Sequence, residues 1–330
     1  MRILIYGGCH AAVIRDILQN MLSPDAVHFS VLINFELIHA GTPFPYQQLI
    51  DIDCVIFSHI ENKGEYNTTR LVNYCRQSGV KTLSFPWLEW HGYTPGATKG
   101  VFGHRYQWYY PELEQLASSF GNFWSFHDFV LSSFPNNETL ISGIERTTEM
   151  LLSMEERNAT DIKIADFAKA RHRDSRLFLI PDHPSLSVYM HVVYQIIELL
   201  DLGSLIVGSY DKEPQPELRI PIFPKVAQWL GLDFCDTVWI DTDRLPKTTA
   251  TLTTYLQQYF YKPSFLLVPL AGATFLGEPE EVPLHTRLLV RLVERPSTTG
   301  QSEYLLVETL SGRPPANAEF AVNDSEWSTT

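Results

Sequence analysis

The first third of the chain alternates short apolar runs with stretches whose apolar residues recur at helical spacing. Residues 2–6 form an apolar run typical of a buried strand, and residues 10–22 carry apolar side chains on one helical face. A further helix is predicted over 64–78, ending at Gly79. Further strands are predicted at 28–33, 53–57 and 80–85. This alternation favours a parallel sheet covered by helices on both faces.

The next segment, 86–135, has weak periodicity and is rich in Trp, Tyr, Phe, His, Gly and Pro. Two interpretations stay open: a structured aromatic loop or lid that binds a ligand, or a hydrophobic cluster beside the main core. Beyond it we predict a helical stretch over 138–170 and a strand over 177–180. A strongly amphipathic helix follows, with Pro184 in its first turn.

The pattern weakens after about residue 204. A helix is predicted over 224–231, and strands at 264–269, 286–294 and 303–310. The last two strands are separated by a polar stretch typical of a β-hairpin turn. We therefore predict an α/β domain over 1–235 with a mostly parallel sheet flanked by helices, and a C-terminal α+β extension over 236–330 that packs on the same domain.

Composition describes a folded globular protein, with 45% hydrophobic and 19% charged residues. The net charge of -13 argues against a general nucleic-acid surface or an anionic-membrane surface. An anionic ligand would have to be held by a few placed residues and backbone N–H groups. The chain opens directly into a strand without signal-peptide features and has no apolar run of membrane-spanning length, so we predict a cytoplasmic protein.

The cysteine and histidine spacings exclude several site classes. Four cysteines are widely spaced without a Cys-x-x-Cys pair, which argues against a disulfide framework or a zinc ribbon. Cys54, Cys75 and Cys235 lie among apolar residues and are interpreted as small core residues. The eleven histidines show no tight ligand spacing, so no metal site is predicted.

Ligands of open α/β sheets bind beyond the carboxyl ends of the strands. Three segments with reactive side chains are expected at that edge: Gly7-Gly8-Cys9-His10, His91-Gly92-Tyr93 and Asp182-His183-Pro184.

Cys9 is expected at the start of the first helix, where backbone N–H groups are unpaired and the helix dipole is positive. Both effects favour a thiolate, or an oxyanion bound close by. Gly7 and Gly8 allow a ligand to approach the backbone closely. A buried structural cysteine at a tight turn is the alternative. The turn lacks the Gly-x-Gly-x-x-Gly pattern, so a dinucleotide-binding fold is only weakly indicated.

His183 is the best candidate for a catalytic base. The residue before a proline is held extended, which would fix the imidazole at the end of the strand, where it could face Cys9. Asp182 could orient this imidazole or cap the next helix. Taken alone, His183 fits a capping or core histidine better than a catalytic one. Taken with Cys9, it suggests a Cys/His pair acting as nucleophile and base.

At these residues the sequence resembles a known family, the WcbI-like polysaccharide biosynthesis enzymes. The turn Gly7-Gly8-Cys9-His10 is similar to the Gly-Asn-Cys-Gln turn of that family. Other short segments resemble further blocks of the family in the same order: 85–95, 155–185 and 221–224. The resemblance covers about residues 1–235. Two departures stand out, since Gly8 replaces the usual Asn and His10 replaces the usual Gln.

The resemblance implies a fold related to the SGNH hydrolases, with Cys9 at the position of their nucleophilic serine and His183 near their catalytic histidine. It also implies coenzyme A binding, with an acyl-CoA donor, a glycan or sugar acceptor and an acetyl-transfer role in polysaccharide or capsule biosynthesis. On this reading the expected catalytic residues are Cys9, His183, His10 and Asp182. The expected coenzyme-binding residues are Gly7, Gly8, Arg15, His91, Gly92, Tyr93, Lys99 and Arg105.

Three of these assignments rest only on position along the chain. Arg15, Lys99 and Arg105 are basic residues close in sequence to the motifs, which is why we predict that they contact the coenzyme phosphates. Ordinary surface charges are the alternative for each.

Two other functions remain open from the sequence. An SGNH-like esterase or thioesterase would use the same nucleophile and base, with water as the acceptor. A non-catalytic sugar- or nucleotide-binding protein would use the same cleft without turnover.

Overall fold

A computed structural model describes most of the chain. The described residues are 1–102, 105–216, 219–234, 236, 239–241, 248–261, 264–269, 287–295, 303–309 and 319–321. They form two compact units, the first containing 1–95 and 135–236 and the second containing 96–134 and 237–330. Residues 96–134, which we assigned to the first domain from the sequence, thus group with the C-terminal segment. The packing of the extension on the first domain stays a prediction.

The first unit is built on a parallel sheet of four strands in the order β2-β1-β3-β4. The strands are β1 (Arg2–Gly7), β2 (His28–Ile33), β3 (Cys54–Ser58) and β4 (Lys81–Phe85). Strands β1 and β3 lie in the centre and bury both faces, which is why their sequences are continuous apolar runs. The predicted α/β class with a parallel sheet is confirmed.

Helices cover the two faces of this sheet. They are α1 (Cys9–Met21), α2 (Asn34–Ala40) and α3 (Thr68–Gln77). Leu4 and Tyr6 of β1 pack with Leu71 and Cys75 of α3 in one core cluster. The alternation of side chains along β1 directs its other residues to the opposite face, where a Cβ on Gly7 would lie 3.5 Å from the Cβ of Ala11 in α1.

The segment 86–135, for which the sequence left a structured aromatic loop and a hydrophobic cluster open, contains regular elements that its weak periodicity did not predict. It contains a hairpin and two helices: β5 (Thr98–Phe102), β6 (Arg105–Tyr109), α4 (Pro111–Ala117) and α5 (Phe123–Ser133). The helical period was hidden because aromatic residues occupy both faces of α5. Phe126 is buried there, while Trp124 and Phe129 are exposed.

The predicted helix over 138–170 is divided into α6 (Asn137–Arg157) and α7 (Ala165–Arg171). The break between them contains Ala159, whose φ of 45° lies in the left-handed region. The buried carboxylate of Glu155 accepts the backbone N–H groups of Ile164 and Ala165, at 2.6 and 2.9 Å, and so caps the second helix.

The predicted strand at 177–180 lies outside the parallel sheet. Strand β7 (Phe178–Ile180) pairs antiparallel with a two-residue strand, β8 (His183–Pro184). Pro184 is therefore extended, and α8 (Leu186–Leu199) begins two residues later than predicted. The reason is a tight reversal at Pro181 and Asp182, closed by a 2.7 Å hydrogen bond from Ser185 N to Leu177 O. A short helix, α9 (Pro224–Leu230), follows.

The C-terminal part of the second unit is α+β, as predicted. Its elements are β9 (Trp239–Asp241), β10 (Thr248–Ala250), α10 (Leu252–Tyr261), β11 (Ser264–Pro269), β12 (Arg287–Arg295), β13 (Glu303–Thr309) and β14 (Glu319–Ala321). Strands β12 and β13 pair antiparallel, as a hairpin requires. The prediction for Cys235 falls outside the described residues. Among the helices of the described part of the chain, none is long and apolar enough to cross a membrane.

Candidate functional site

The turn between β1 and α1 presents Cys9 at the start of a helix. Gly8 is the N-cap residue, with an extended backbone (φ -80°, ψ -155°). Glycine brings no capping side chain, so the first N–H groups of α1 are not satisfied by a side-chain cap. Cys9 itself is partly exposed. The turn therefore offers a thiol and backbone donors at one place on the carboxyl edge of the sheet.

The structure brings Cys9 and His183 together across 174 residues of sequence. The Sγ atom of Cys9 lies 3.7 Å from Nε2 of His183, and Nδ1 of His183 lies 3.0 Å from Oδ1 of Asp182. Asp182 is buried and orients the imidazole. Ser185 holds the N-cap position of α8, so capping by Asp182, the alternative left open by the sequence, is not what the structure shows.

The environment of His183 favours its charged form. Burial alone would lower the pKa of this imidazole, but its hydrogen bonds to Asp182 and Cys9 and the negative charge of Asp182 outweigh burial and raise the pKa to about 9. The resting imidazole therefore carries a proton at neutral pH.

His10 lies beside Cys9 and His183. It is buried, and its Nδ1 lies 2.9 Å from the Tyr189 hydroxyl. Burial, together with electrostatic interactions with Cys9, Glu213 and Asp182, raises the pKa of Tyr189, so the phenol keeps its proton. The ring of His10 lies 6.0 Å from the ring of His183. Its position beside the pair is clear, while its catalytic role stays a prediction.

Trp87 closes the turn from the β4 side. A Cβ atom on Gly8 would lie 3.1 Å from the indole ring of Trp87, closer than side chains normally approach. The indole also lies edge-on to His10, with ring centres 5.3 Å apart. Gly8 thus leaves the space into which Trp87 fits. The Asn that the family usually has at this position carries a Cβ, which would crowd this ring.

A hydrogen-bonded chain leads away from this tryptophan. The indole Nε1 of Trp87 donates to Oε2 of Glu89 at 2.9 Å, and Oε1 of Glu89 lies 2.8 Å from Nε2 of His91. We predicted His91 as a coenzyme contact, and the structure places it partly exposed at the end of this chain. That contact stays a prediction.

Gly92 and Tyr93, the other predicted coenzyme contacts of this segment, are both buried. Tyr93 is 1% exposed, and its hydroxyl oxygen lies 2.7 Å from His172 O and 2.9 Å from Ser175 O. Its position in the core argues against the predicted coenzyme contact. A Cβ on Gly92 would lie 2.0 Å from the indole of buried Trp90, so this position accepts only glycine without rearrangement.

Replacing Gly92 with alanine is expected to destabilise the first unit by about 1–3 kcal/mol, because the new Cβ would overlap Trp90, which is buried and packed against the rings of Tyr93, His172 and Phe178. Urea unfolding followed by tryptophan fluorescence measures the loss. Gly203→Ala is the matched control, since nothing lies within 4 Å of a Cβ at that position. Equal stability of the two variants would contradict the packing described for Trp90.

The basic residues predicted to hold the coenzyme phosphates are placed differently from one another. Arg15 lies on α1 and pairs with Asp16, with the closest N–O distance 2.6 Å. Lys99 lies 5.8 Å from the ring centre of Trp108, and Arg105 begins β6. Both belong to the second unit, so their phosphate contacts stay predictions.

Several residues near the pair carried no signal in the sequence. Tyr189 counts as part of the apolar face of its helix, and Trp87 and Glu89 fall in the aromatic stretch with weak periodicity. Glu213 accepts the Leu186 N–H at 2.9 Å from a distant loop, and burial raises the pKa of its carboxyl. Such contacts join residues that only the folded chain brings together.

Ser58 also lies at this edge without having been predicted. It ends β3, is buried, and its Oγ has no hydrogen-bond partner within the described part of the chain. A Cβ on Gly7 would lie 2.9 Å from that oxygen. The close approach of β3 therefore favours glycine at position 7. This reason is separate from the ligand approach for which the sequence predicted Gly7.

The chain matches the family model of the polysaccharide biosynthesis enzyme WcbI over residues 2–205. It is similar in fold to a solved structure of WcbI, described as native protein without a disulfide bond between coenzyme A and one of its cysteines. The TM-score is 0.59 at 16% sequence identity, and the match covers 78% of this chain and 88% of that chain. No curated protein matches the chain.

Proposed function

Because the chain belongs to the WcbI family of polysaccharide biosynthesis enzymes, we propose that it transfers an acyl group, acetyl in the first place, from coenzyme A to a sugar hydroxyl. The observation that carries the proposal is the series of side-chain contacts from Cys9 to His183 and from His183 to Asp182, with distances of 3.7 and 3.0 Å. A sulfur, an imidazole and an orienting carboxylate in this order are suited to acyl transfer.

The turn also fits the thioester end of the coenzyme. Cys9 is partly exposed, and the first N–H groups of α1 lack a side-chain cap, which gives donors for a carbonyl oxygen that gains negative charge. The related WcbI structure is described as native protein without a disulfide bond between coenzyme A and one of its cysteines, which names the coenzyme and a cysteine together. We take Cys9 as the equivalent residue. Free Cys9, Cys54 and Cys75 are compatible with a reducing cytoplasm, which we propose as the location.

Two routes use these residues. The coenzyme supplies a thioester, whose carbonyl carbon accepts the nucleophile. In the direct route Nε2 of His183 takes the proton of the sugar hydroxyl, a new C–O bond forms, the thioester C–S bond breaks, and the proton passes to the departing thiolate. In the covalent route the sulfur of Cys9 first bonds to the acyl carbon, the thioester C–S bond breaks, and the Cys9 proton passes through His183 to the departing coenzyme thiolate. The sugar oxygen then bonds to the acyl carbon, the bond from that carbon to the Cys9 sulfur breaks, and the hydroxyl proton passes through His183 to the sulfur.

The pH dependence of kcat/KM reports the charge of His183 in the free enzyme. We expect a change near pH 9, the raised pKa of that imidazole. The rate rises through this pH if neutral His183 takes the hydroxyl proton, and it falls if the charged imidazole is the working form. Asp182→Asn is expected to move the change to lower pH by roughly one unit or more, because the carboxylate that stabilises the proton is lost.

A matched variant makes this test specific. Asp174→Asn removes a carboxylate paired with Arg171 on the surface and is expected to leave the profile in place. A profile that stays unchanged in Asp182→Asn would contradict the role given to Asp182.

A product assay separates the transferase from its alternatives. Acetyl-CoA is incubated with and without methyl pyranosides, and both free coenzyme thiol and acetylated sugar are measured. We expect thiol release that depends on the acceptor and matches acetyl sugar mole for mole. Thiol release independent of acceptor would identify a thioesterase. No release by the wild type above that of Cys9→Ser and His183→Ala would identify a binding protein.

A further inference from the structure

Trp87 lies two residues after Phe85, the last residue of β4. It follows β4 at the carboxyl edge and remains partly exposed, while its neighbours Phe85, Leu88 and Trp90 are buried. A Cβ on Gly8 would lie 3.1 Å from its ring, so the indole lies over the Gly8 position, next in sequence to Cys9. A partly exposed aromatic ring thus adjoins the turn at which acyl transfer is proposed.

The orientation of this indole is fixed by polar contacts. Nε1 donates to Glu89, and the other carboxylate oxygen of Glu89 is bound by His91, at 2.9 and 2.8 Å. The ring is fixed on a second side by its edge-on contact with His10. A ring held in this way loses little further conformational entropy when a ligand covers it.

We propose that Trp87 is the platform on which the acceptor sugar stacks, and that the acceptor is a pyranose ring. The apolar C–H face of the sugar would lie on the indole, and the Glu89 carboxylate, whose side chain is 34% exposed, would accept a sugar hydroxyl. Glu89 and His91 act as positioning residues for the indole. This inference rests on the proposed function, since it places the acceptor at the Cys9 turn.

The structure of coenzyme A argues against stacking of its adenine ring on Trp87. The adenine of coenzyme A is separated from the thioester by the whole pantetheine and diphosphate chain. With the thioester at Cys9, a ring that contacts Gly8 lies at the reacting end and is out of reach of the adenine. The group that must meet the thioester there is the sugar that carries the attacking hydroxyl.

Two measurements on the whole chain test this assignment. Acetyl transfer from acetyl-CoA to methyl β-D-glucopyranoside, methyl α-D-mannopyranoside and methyl N-acetyl-β-D-glucosaminide gives KM values for acceptor and donor separately. Saturation-transfer NMR with the same glycosides measures binding without turnover. Sorbitol, which carries similar hydroxyls but no ring, is the matched probe.

Trp87→Leu is expected to raise the KM of the best glycoside roughly tenfold, with the KM of acetyl-CoA unchanged within about twofold. Trp87→Phe keeps a ring and is expected to retain most of the binding. Trp229→Leu removes an exposed tryptophan of α9 and serves as the control, expected to behave as wild type. Thermal unfolding confirms that each variant is folded.

The outcomes separate the two proposals. If the wild type transfers no acetyl group but binds glycosides in preference to sorbitol through Trp87, the sugar platform stands and the proposed function fails. The platform is overturned if no glycoside binds the wild type, if sorbitol binds as well as the glycosides, or if Trp87→Leu raises the KM of acetyl-CoA in place of that of the acceptor.

Discussion

His183→Ala is expected to lower kcat/KM for acetyl transfer by about 10²–10⁴-fold, because both routes to the ester pass a proton through Nε2 of this imidazole. That atom lies 3.7 Å from Cys9 Sγ, and the other ring nitrogen is held by Asp182 at 3.0 Å. No other side chain named at the site is placed to take over both contacts. Steady-state kinetics with acetyl-CoA and a pyranoside acceptor measure the loss.

The control for this variant is His28→Ala, which removes an exposed histidine at the start of β2 and is expected to act as wild type. Calorimetric titration with coenzyme A checks that His183→Ala still binds the donor, so that the loss belongs to the chemical step. A decrease smaller than about tenfold would contradict the role of His183, since proton transfer by a positioned side chain contributes at least 10²-fold.

Cys9 variants then distinguish the routes. If the sulfur carries the acyl group, Cys9→Ala abolishes transfer, and mass spectrometry of wild type quenched without acceptor shows one acetyl group on the Cys9 peptide. If His183 acts directly on the sugar, Cys9→Ala retains measurable transfer and the wild-type peptide stays unmodified.

The second large effect concerns stability. Arg176→Leu is expected to destabilise the first unit by about 3–5 kcal/mol, because the change leaves a buried carboxylate without its main partner. The guanidinium donates to Asp236 at 2.6 Å, and the two side chains are only 6% and 11% exposed. It also donates to three backbone carbonyls, those of Phe178, Leu179 and Ile220. Each carbonyl would lose a buried donor.

Urea unfolding measures this loss, and a second variant tests its cause. Arg219 lies 3.7 Å from the same Asp236 oxygen and retains part of the pairing, which places the expected value toward the lower end of the range. Adding Asp236→Asn to Arg176→Leu removes the charge of the carboxylate that has lost Arg176 and is expected to recover part of the stability. A loss below about 1 kcal/mol, or a double variant less stable than Arg176→Leu alone, would refute the buried ion pair as the cause.

The sheet was predictable because its two central strands, β1 and β3, are buried on both faces. Strands β1 to β4 lie within one residue of the predicted runs, since a central parallel strand is a continuous apolar segment. The segment 86–135 was not predictable in the same way. Aromatic side chains on both the buried and the exposed face of α5 remove the apolar-polar contrast on which a periodicity argument depends.

The contact between Cys9 and His183 was anticipated for a partly different reason from the one the structure gives. We expected His183 at the end of a strand of the main sheet, but β7 and β8 form a separate antiparallel pair. A hydrogen bond of 2.9 Å from Trp90 N to Pro181 O ties this turn to the segment after β4. Such a tertiary contact has no local signature. The contacts of Tyr93 with residues 172–177 are hidden from the sequence for the same reason.

The central claim is that the Cys9 turn holds the reacting end of coenzyme A. Incubation with coenzyme A disulfide tests it most directly, because thiol exchange links half of the reagent to a cysteine and releases the other half as thiol. Peptide mapping is predicted to find the adduct on Cys9, absent from Cys54 and Cys75, with acetyl-CoA slowing its formation. An adduct on Cys54 or Cys75 in its place, or labelling of Cys9 that acetyl-CoA does not slow, would contradict the claim.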